Sequence, residues 1–356
     1  MKWPAHGSNP AHLYESLQMD QPECITDFSV NVNPYGPPPS LQANWESWLA
    51  SVSDYPDPYG QTVTGQIAGL NGVTDQQVVL GNGAAELIQL LGQLWRGQKV
   101  VIAQPAFSEY EAACRVYSCE IDNVFLNKGG SLPVYELAAK AHGAAALFIC
   151  TPNNPSGLAF PIEEIAQLLE CLSSSGCKVV IDEAFYDFAG SSTVVPLLQD
   201  YSNLIILRSL TKMYAIAGLR IGYLLAAEPL ALQIARFRPH WNVNAIALKA
   251  AETVLTDPSF AERSRKRIAA ERERMFQFLE KQGFQFTRSV VNFYLLRDPA
   301  LEDQKPLFLF LLKKGIVLRH TYNYPGLAGR WLRASVKTEL ENNQLREALL
   351  EWKKHN

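Results

Sequence analysis

The sequence predicts an α/β protein with a mostly parallel central sheet in a large domain and a small α+β domain after it. Three observations carry this. Short β-branched runs alternate with helical patterns through the middle of the chain, turns rich in Gly, Pro and Asn follow several of those runs, and beyond about residue 240 the order changes to helical patterns followed by strands. At 356 residues the chain is also longer than one compact core ordinarily serves.

The predicted strands of the large domain are Val78–Gly81, Lys99–Gln104, Ala145–Thr151, Lys178–Glu183, Leu204–Ser209 and Leu219–Ala226. Between them, Ala84–Trp95 and Ile162–Ser174 place apolar residues three and four apart, the spacing of an amphipathic helix. Residues 51–240 therefore read as one unit. The first 50 residues, with Asn31-Val32-Asn33-Pro34 and Pro37-Pro38-Pro39, read as an extended arm rather than a packed unit, one that reaches across to the small domain. Residues 241–356 open with helical patterns at Ala245–Leu255 and Phe260–Lys281, then give strands at Val290–Leu296, Ile316–Arg319 and Trp331–Val336. The mixed charges of Glu262–Arg274 suit a solvated helix face.

Composition narrows the function classes. A net charge of −3 supplies no basic field for nucleic acid or an anionic membrane. Apolar runs such as Leu307–Leu312 fall far short of the roughly 18–20 residues that span a bilayer. The opening residues MKWPAHGSNP lack the apolar core of a signal peptide, so the expected location is cytoplasmic. The six cysteines form no C-x-x-C pair and are expected as reduced core residues, with no metal site.

The chemistry-bearing segment runs from Arg208 to Tyr223, at the end of a predicted strand: Ser209, Thr211, Lys212 and Arg220 crowd a loop that a purely structural connection would fill with turn residues. A lysine amine condenses with an aldehyde, and a pyridinium ring can then take up the electrons of a carbanion. Ser209, Thr211 and Arg220 suit the phosphate of such a cofactor. Lys212 reacts only when its amine is partly neutral, which burial and nearby cations favour. A solvated surface lysine is the competing account.

Three further motifs lie after predicted strands. Gly81-Asn82-Gly83-Ala84-Ala85 opens a helix, whose free N–H groups suit a phosphate. Asp182, closing the apolar run Val180-Ile181, is a costly buried carboxylate unless a cation such as a ring N–H pairs with it; a helix cap or surface acid is the alternative. Thr151-Pro152-Asn153-Asn154-Pro155-Ser156-Gly157 forms an abrupt turn whose Asn amide could donate to a ring oxygen, or only close an Asx-turn. Phe107 offers a stacking platform. Open α/β sheets place their ligands at such strand ends.

In this ordered set, from the Asn-Asn-Pro-Ser-Gly turn through Asp-Glu-Ala-Phe to Ser-Leu-Thr-Lys and Gly-Leu-Arg, the sequence resembles the fold-type-I pyridoxal-phosphate family, over nearly the whole chain. The branch it resembles contains histidinol-phosphate aminotransferase and threonine-phosphate decarboxylase. His6-Gly7, Asp27–Pro34, Phe185 in place of a Tyr, Trp241–Ala245, and Arg319 ahead of Asn323–Leu327 bring it nearer the decarboxylases. The resemblance implies pyridoxal 5'-phosphate held by Lys212 as a Schiff base, with Asp182 at the ring nitrogen, Asn154 near the ring oxygen and Phe107 over the ring. Ser209, Thr211, Arg220 and the amides of Ala84 and Ala85 would surround its phosphate.

The resemblance further implies a homodimer, with Tyr55 reaching the phosphate of the partner subunit. Arg319 and Arg333 would bind the carboxylate and phosphate of a small phosphorylated amino acid, and either could take either. His6, Gly7, Asn31 and Asn33 would close the site from the arm. The implied reaction is decarboxylation of L-threonine O-3-phosphate to (R)-1-aminopropan-2-ol O-2-phosphate in cobalamin biosynthesis; the alternative is a histidinol-phosphate or aromatic aminotransferase.

Overall fold

A computed structural model describes Trp3, Gly7 and residues 9–190 and 193–355. Its strands in chain order are β1 (Thr26–Asp27), β2 (Val78–Gly81), β3 (Lys99–Gln104), β4 (Glu120–Phe125), β5 (Ala146–Cys150), β6 (Lys178–Asp182), β7 (Leu204–Ser209), β8 (Gly222–Ala226), β9 (Gln285–Phe286), β10 (Phe293–Arg297), β11 (Ile316–Val317), β12 (Arg319–His320) and β13 (Leu332–Ser335).

Strands β2 to β8 form one sheet in the order β2-β8-β7-β6-β5-β3-β4. The pairs among β7, β6, β5, β3 and β4 are parallel, and β8 runs antiparallel to both its neighbours. Every residue of β5, β7 and β8 is buried, the pattern of strands covered on both faces. Helices Gly83–Leu94 and Ile162–Leu172 turn their Leu and Ile rows into this core. A second, antiparallel sheet has the order β12-β13-β10-β9.

Four readings of the fold need correction. Edge strand β4 was not visible as a strand, because only Val124 of its six residues is buried and its polar row faces water, with Asp122 bridged to Lys99 at 3.0 Å. The strand expected from Leu219 begins at Gly222, since a 3₁₀ turn at Ala217–Leu219 and a left-handed Arg220 (φ 60°) intervene.

The third concerns the arm, which is packed and partly helical. Helices Pro10–Leu17 and Pro39–Trp48 each begin on a proline, which costs nothing in a helical first turn where no N–H partner is needed. Tyr14 is buried and donates to Leu312 O at 2.7 Å. Strand β1 pairs in parallel with β11, and Phe28 O accepts from Ser335 N at 3.0 Å. Two cysteines, Cys24 and Cys171, are exposed rather than in the core.

Adjacent strands β6 and β7 end side by side, and successive residues point to opposite faces there. Asp182 and Ser209 face one way; behind them Glu183 and Arg208 form a buried pair, with Arg208 Nη2 2.7 Å from Glu183 Oε2. Thr193 Oγ1, Asn71 Oδ1 and the Tyr186 ring complete the shell around the guanidinium. Breaking one side of such a pair leaves a buried charge uncompensated. Arg208→Met is expected to lose about 3–5 kcal/mol of stability, read as a lower urea midpoint with the native far-ultraviolet spectrum retained below the transition.

Candidate active site

A cavity of about 240 Å³ opens where β5, β6 and β7 end. Gly7, Asn31, Ala84, Ala85, Phe107, Asn154, Asp182, Ser209, Thr211, Lys212, Arg220, Arg319 and Arg333 all line it, so most of the expected site residues meet in one place.

Lys212 lies three residues beyond β7. Its amine has no hydrogen bond or ion pair among the described residues. Burial, then the charges of Arg333 and Arg220, pull it from the ordinary lysine value down to about 8. Its backbone is fixed from the arm: Lys212 O accepts from Asn33 N at 3.0 Å, and Met213 O accepts from Asn33 Nδ2 at 2.9 Å.

Asp182 is 4% exposed and pairs with no cationic side chain among the described residues. Burial raises its carboxyl above the usual range, against two donors that lower it: the Tyr110 hydroxyl, 2.5 Å from Oδ2, and the Ala184 N–H, 2.8 Å from Oδ1. The Phe107 ring stands edge-on to Tyr110, which stacks on Phe148.

The other end of the cavity is an anion cradle. Ser209 Oγ and Thr211 Oγ1 lie 2.7 Å apart, and Arg220 Nη1 is tied to Ala217 O at 3.0 Å. Ala84 and Ala85 stand in the first turn of a 12-residue helix, where N–H groups are unpaired. Two glycines allow the approach. A Cβ at Gly83, whose φ is +73°, would lie 2.5 Å from Arg220 Nη2, and one at Gly222 would lie 2.8 Å from Ala84 N.

Two more guanidiniums enter from the second sheet, where Arg319 and Arg333 are direct cross-strand partners. Arg333 donates to Asn154 Oδ1 at 2.6 Å and Ser29 O at 2.8 Å, while its buried Nε has no acceptor among the described residues. With Oδ1 of Asn154 so engaged, its Nδ2 stays available to an acceptor in the cavity. Arg319 donates to Asn323 Oδ1 at 2.8 Å and, by burial first, is drawn down to about 10, still charged at neutral pH.

Residues 23–350 match the family description "Aminotransferase class I and II". The chain belongs to that family. It is 32% identical to the threonine-phosphate decarboxylase of Salmonella typhimurium over 97% of this chain and 95% of the relative. It is 31% identical to the adenosylcobalamin biosynthesis bifunctional protein CobDQ of Leptospira interrogans over 98% of this chain, but spans only 41% of that protein's length. The solved structure of the histidinol-phosphate aminotransferase from Clostridium acetobutylicum superposes with a TM-score of 0.89 at 30% identity, covering 93% of this chain and all of that one.

The family works with pyridoxal 5'-phosphate, and this chain is a pyridoxal-phosphate-dependent enzyme of the fold-type-I architecture. The residues present fit that group. A neutralisable amine faces the cavity for the aldehyde, the hydroxyl, arginine and helix cradle suits the phosphate, and Asp182 is a buried carboxylate in want of a cation.

Not every expected residue reaches the cavity. Asn33 is buried beside it, but its amide is committed to Met213 O and Ser264 Oγ, so it shapes the lysine loop and is not available to substrate. Tyr55 is 82% exposed, its ring 5.0 Å from that of Trp241, outside this chain's own cavity. His6 lies outside the described residues. Tyr110, Tyr324 and Phe185 line the cavity without having been expected there. Tyr110 was accessible to reasoning, since it follows the platform residue Phe107 by three positions on a helix edge. Two outcomes are expected. Lys212→Ala abolishes the visible absorbance of the reconstituted protein. The rate at which apoprotein combines with pyridoxal 5'-phosphate rises with pH as Lys212 loses its proton and levels off above about 8, whereas an exposed lysine would carry the rise beyond pH 10.

Proposed function

We propose that the enzyme decarboxylates L-threonine O-3-phosphate to (R)-1-aminopropan-2-ol O-2-phosphate, a step of cobalamin biosynthesis. The observation that carries this reading is the convergence of Arg319 and Arg333 on the cavity of Lys212: two guanidiniums beyond the phosphate cradle suit a substrate with two anionic groups, a carboxylate and a phosphate. Histidinol phosphate carries only one. Similarity to the Salmonella decarboxylase over nearly the full length of both chains supports the same reading.

When bound, pyridoxal 5'-phosphate supplies an aldehyde for the substrate amine and a ring that accommodates the electron pair left as a bond to Cα breaks. Asp182 would offer a negative charge to the ring nitrogen, a charge that the Tyr110 hydroxyl and Ala184 N–H favour against the cost of burial. Arg319 and Arg333 would fix the two anionic groups of the substrate, and so choose which bond to Cα breaks. For decarboxylation the Cα–carboxylate bond breaks, carbon dioxide leaves, and Cα takes a proton. Lys212 Nζ, drawn down to about 8, is suited to carry it, directly or through water.

We further propose that the enzyme works as a homodimer. Tyr55, Tyr59, Trp45 and Trp241 leave aromatic surface exposed, and Tyr55 is suited to complete the partner's phosphate cradle. The alternative activity, transamination of histidinol phosphate or an aromatic amino acid, rests on the similarity to the clostridial aminotransferase. Carbon dioxide release from O-phosphothreonine separates the two. Release at full rate with no 2-oxo acid present is the expected result, and a strict requirement for 2-oxoglutarate would contradict it. Arg333→Met should raise KM for O-phosphothreonine by about ten- to a hundredfold, the loss of one charged hydrogen-bonding partner.

A further inference from the structure

We infer that His320 is a positioning residue for the substrate anion site, acting through Arg319; this rests on the reading that Arg319 grips an anionic group of the substrate. The two side chains are neighbours on β12 and both are buried. Arg319 Nη1 lies 2.7 Å from His320 Nε2. A guanidinium has donors only and keeps its charge at neutral pH, so the imidazole nitrogen must be the acceptor. That fixes the tautomer: the ring is neutral, with its proton on Nδ1.

The imidazole is in turn held rigidly. It packs among Trp3 of the arm, whose ring is 4.9 Å away, Phe308 at 6.3 Å and edge-on, and Tyr322 at 5.7 Å. Trp3 also stacks on Tyr322 at 4.5 Å. His320 thus meets Nη1 of Arg319 while Asn323 Oδ1 meets Nη2 at 2.8 Å, and the plane of the guanidinium is set from two sides. This matters because Arg333 is the direct cross-strand partner of Arg319, and like charges so placed repel. Losing the imidazole acceptor removes one of the contacts that keep the guanidinium beside Arg333 and near the place proposed for the second anionic group. An acceptor that carries no charge of its own can hold the guanidinium without neutralising it for the substrate, which a carboxylate could not do.

The test compares three variants of the holoenzyme. His320→Phe keeps an aromatic ring inside the Trp3, Phe308 and Tyr322 cluster but has no acceptor. His320→Gln keeps an acceptor and loses the ring. Arg319→Met removes the guanidinium. For O-phosphothreonine, H320F is expected to raise KM by about tenfold or more, the scale of one charge-assisted hydrogen bond, with kcat and the cofactor absorbance close to wild type. H320Q is expected to restore most of the affinity. A wild-type KM in H320F overturns the inference, as does a fall in kcat at unchanged KM. Should H320F fail to retain cofactor, H320Q decides: KM near wild type supports the role, and KM raised as far as in R319M overturns it. Titration of wild-type and variant holoenzymes with inorganic phosphate, followed by the cofactor absorbance, repeats the comparison without turnover. A wild-type enzyme that releases no carbon dioxide but binds phosphate more tightly than H320F refutes the substrate reading and leaves the role of His320 standing; equal binding of phosphate by wild type and H320F refutes that role.

Discussion

A lysine amine held inside the protein with no anionic partner among the described residues is the constraint on which the rest of the structure depends. Lys212 shares its cavity with Arg220, Arg319 and Arg333, against one lining carboxylate, Asp182. Such an excess of positive charge is unfavourable in a buried site, and it relaxes in two ways: the amine sheds its proton, and anions bind. Both serve one chemistry. A neutral amine attacks an aldehyde, and the guanidiniums, hydroxyls and helix N–H groups await phosphate and carboxylate oxygens.

The sheet makes this arrangement possible. Neighbouring parallel strands β5, β6 and β7 end at the same edge, so Asn154, Asp182 and Ser209 come from distant parts of the sequence and still face one cavity. The antiparallel β8 returns from the lysine loop, and its Gly222 lets the helix that starts at Gly83 approach closely enough for Ala84 to join the cradle. On the far side of the strand ends, the Glu183–Arg208 pair ties β6 to β7. The second sheet then brings Arg319 and Arg333 across the opening. On the proposed function, the phosphate cradle, the carboxylate and the lysine hold the cofactor, and the second sheet and the arm govern which substrate bond is exposed.

The cofactor half of the site was legible in the sequence because its residues fall in short contiguous segments whose spacing reports on one strand end each. Ser209, Thr211, Lys212 and Arg220 lie within 12 positions of one another. What could not be read depends on contacts far apart in the chain. Tyr110 meets Asp182 across 72 residues, and Asn33 meets Met213 across 180. Asn33 was expected at the substrate from the family resemblance; burial instead committed its amide to the lysine loop. The helical parts of the arm were hidden by Pro10 and Pro39, which read as breakers yet stand in first turns. The fold class itself was plain from the alternation of buried strands and amphipathic helices; within the large sheet only the polar edge strand β4 escaped that pattern, and the two-residue strands β1 and β9 were too short to show one.

The central claim is that Lys212, and no other lysine, holds the cofactor. Treating the reconstituted enzyme with borohydride fixes the bond between amine and cofactor aldehyde, and peptide mass spectrometry then locates the pyridoxyl group. The added mass is expected on the peptide containing Lys212 alone, with loss of activity in proportion to labelling. Stoichiometric labelling of a different lysine, with Lys212 unmodified, would contradict it.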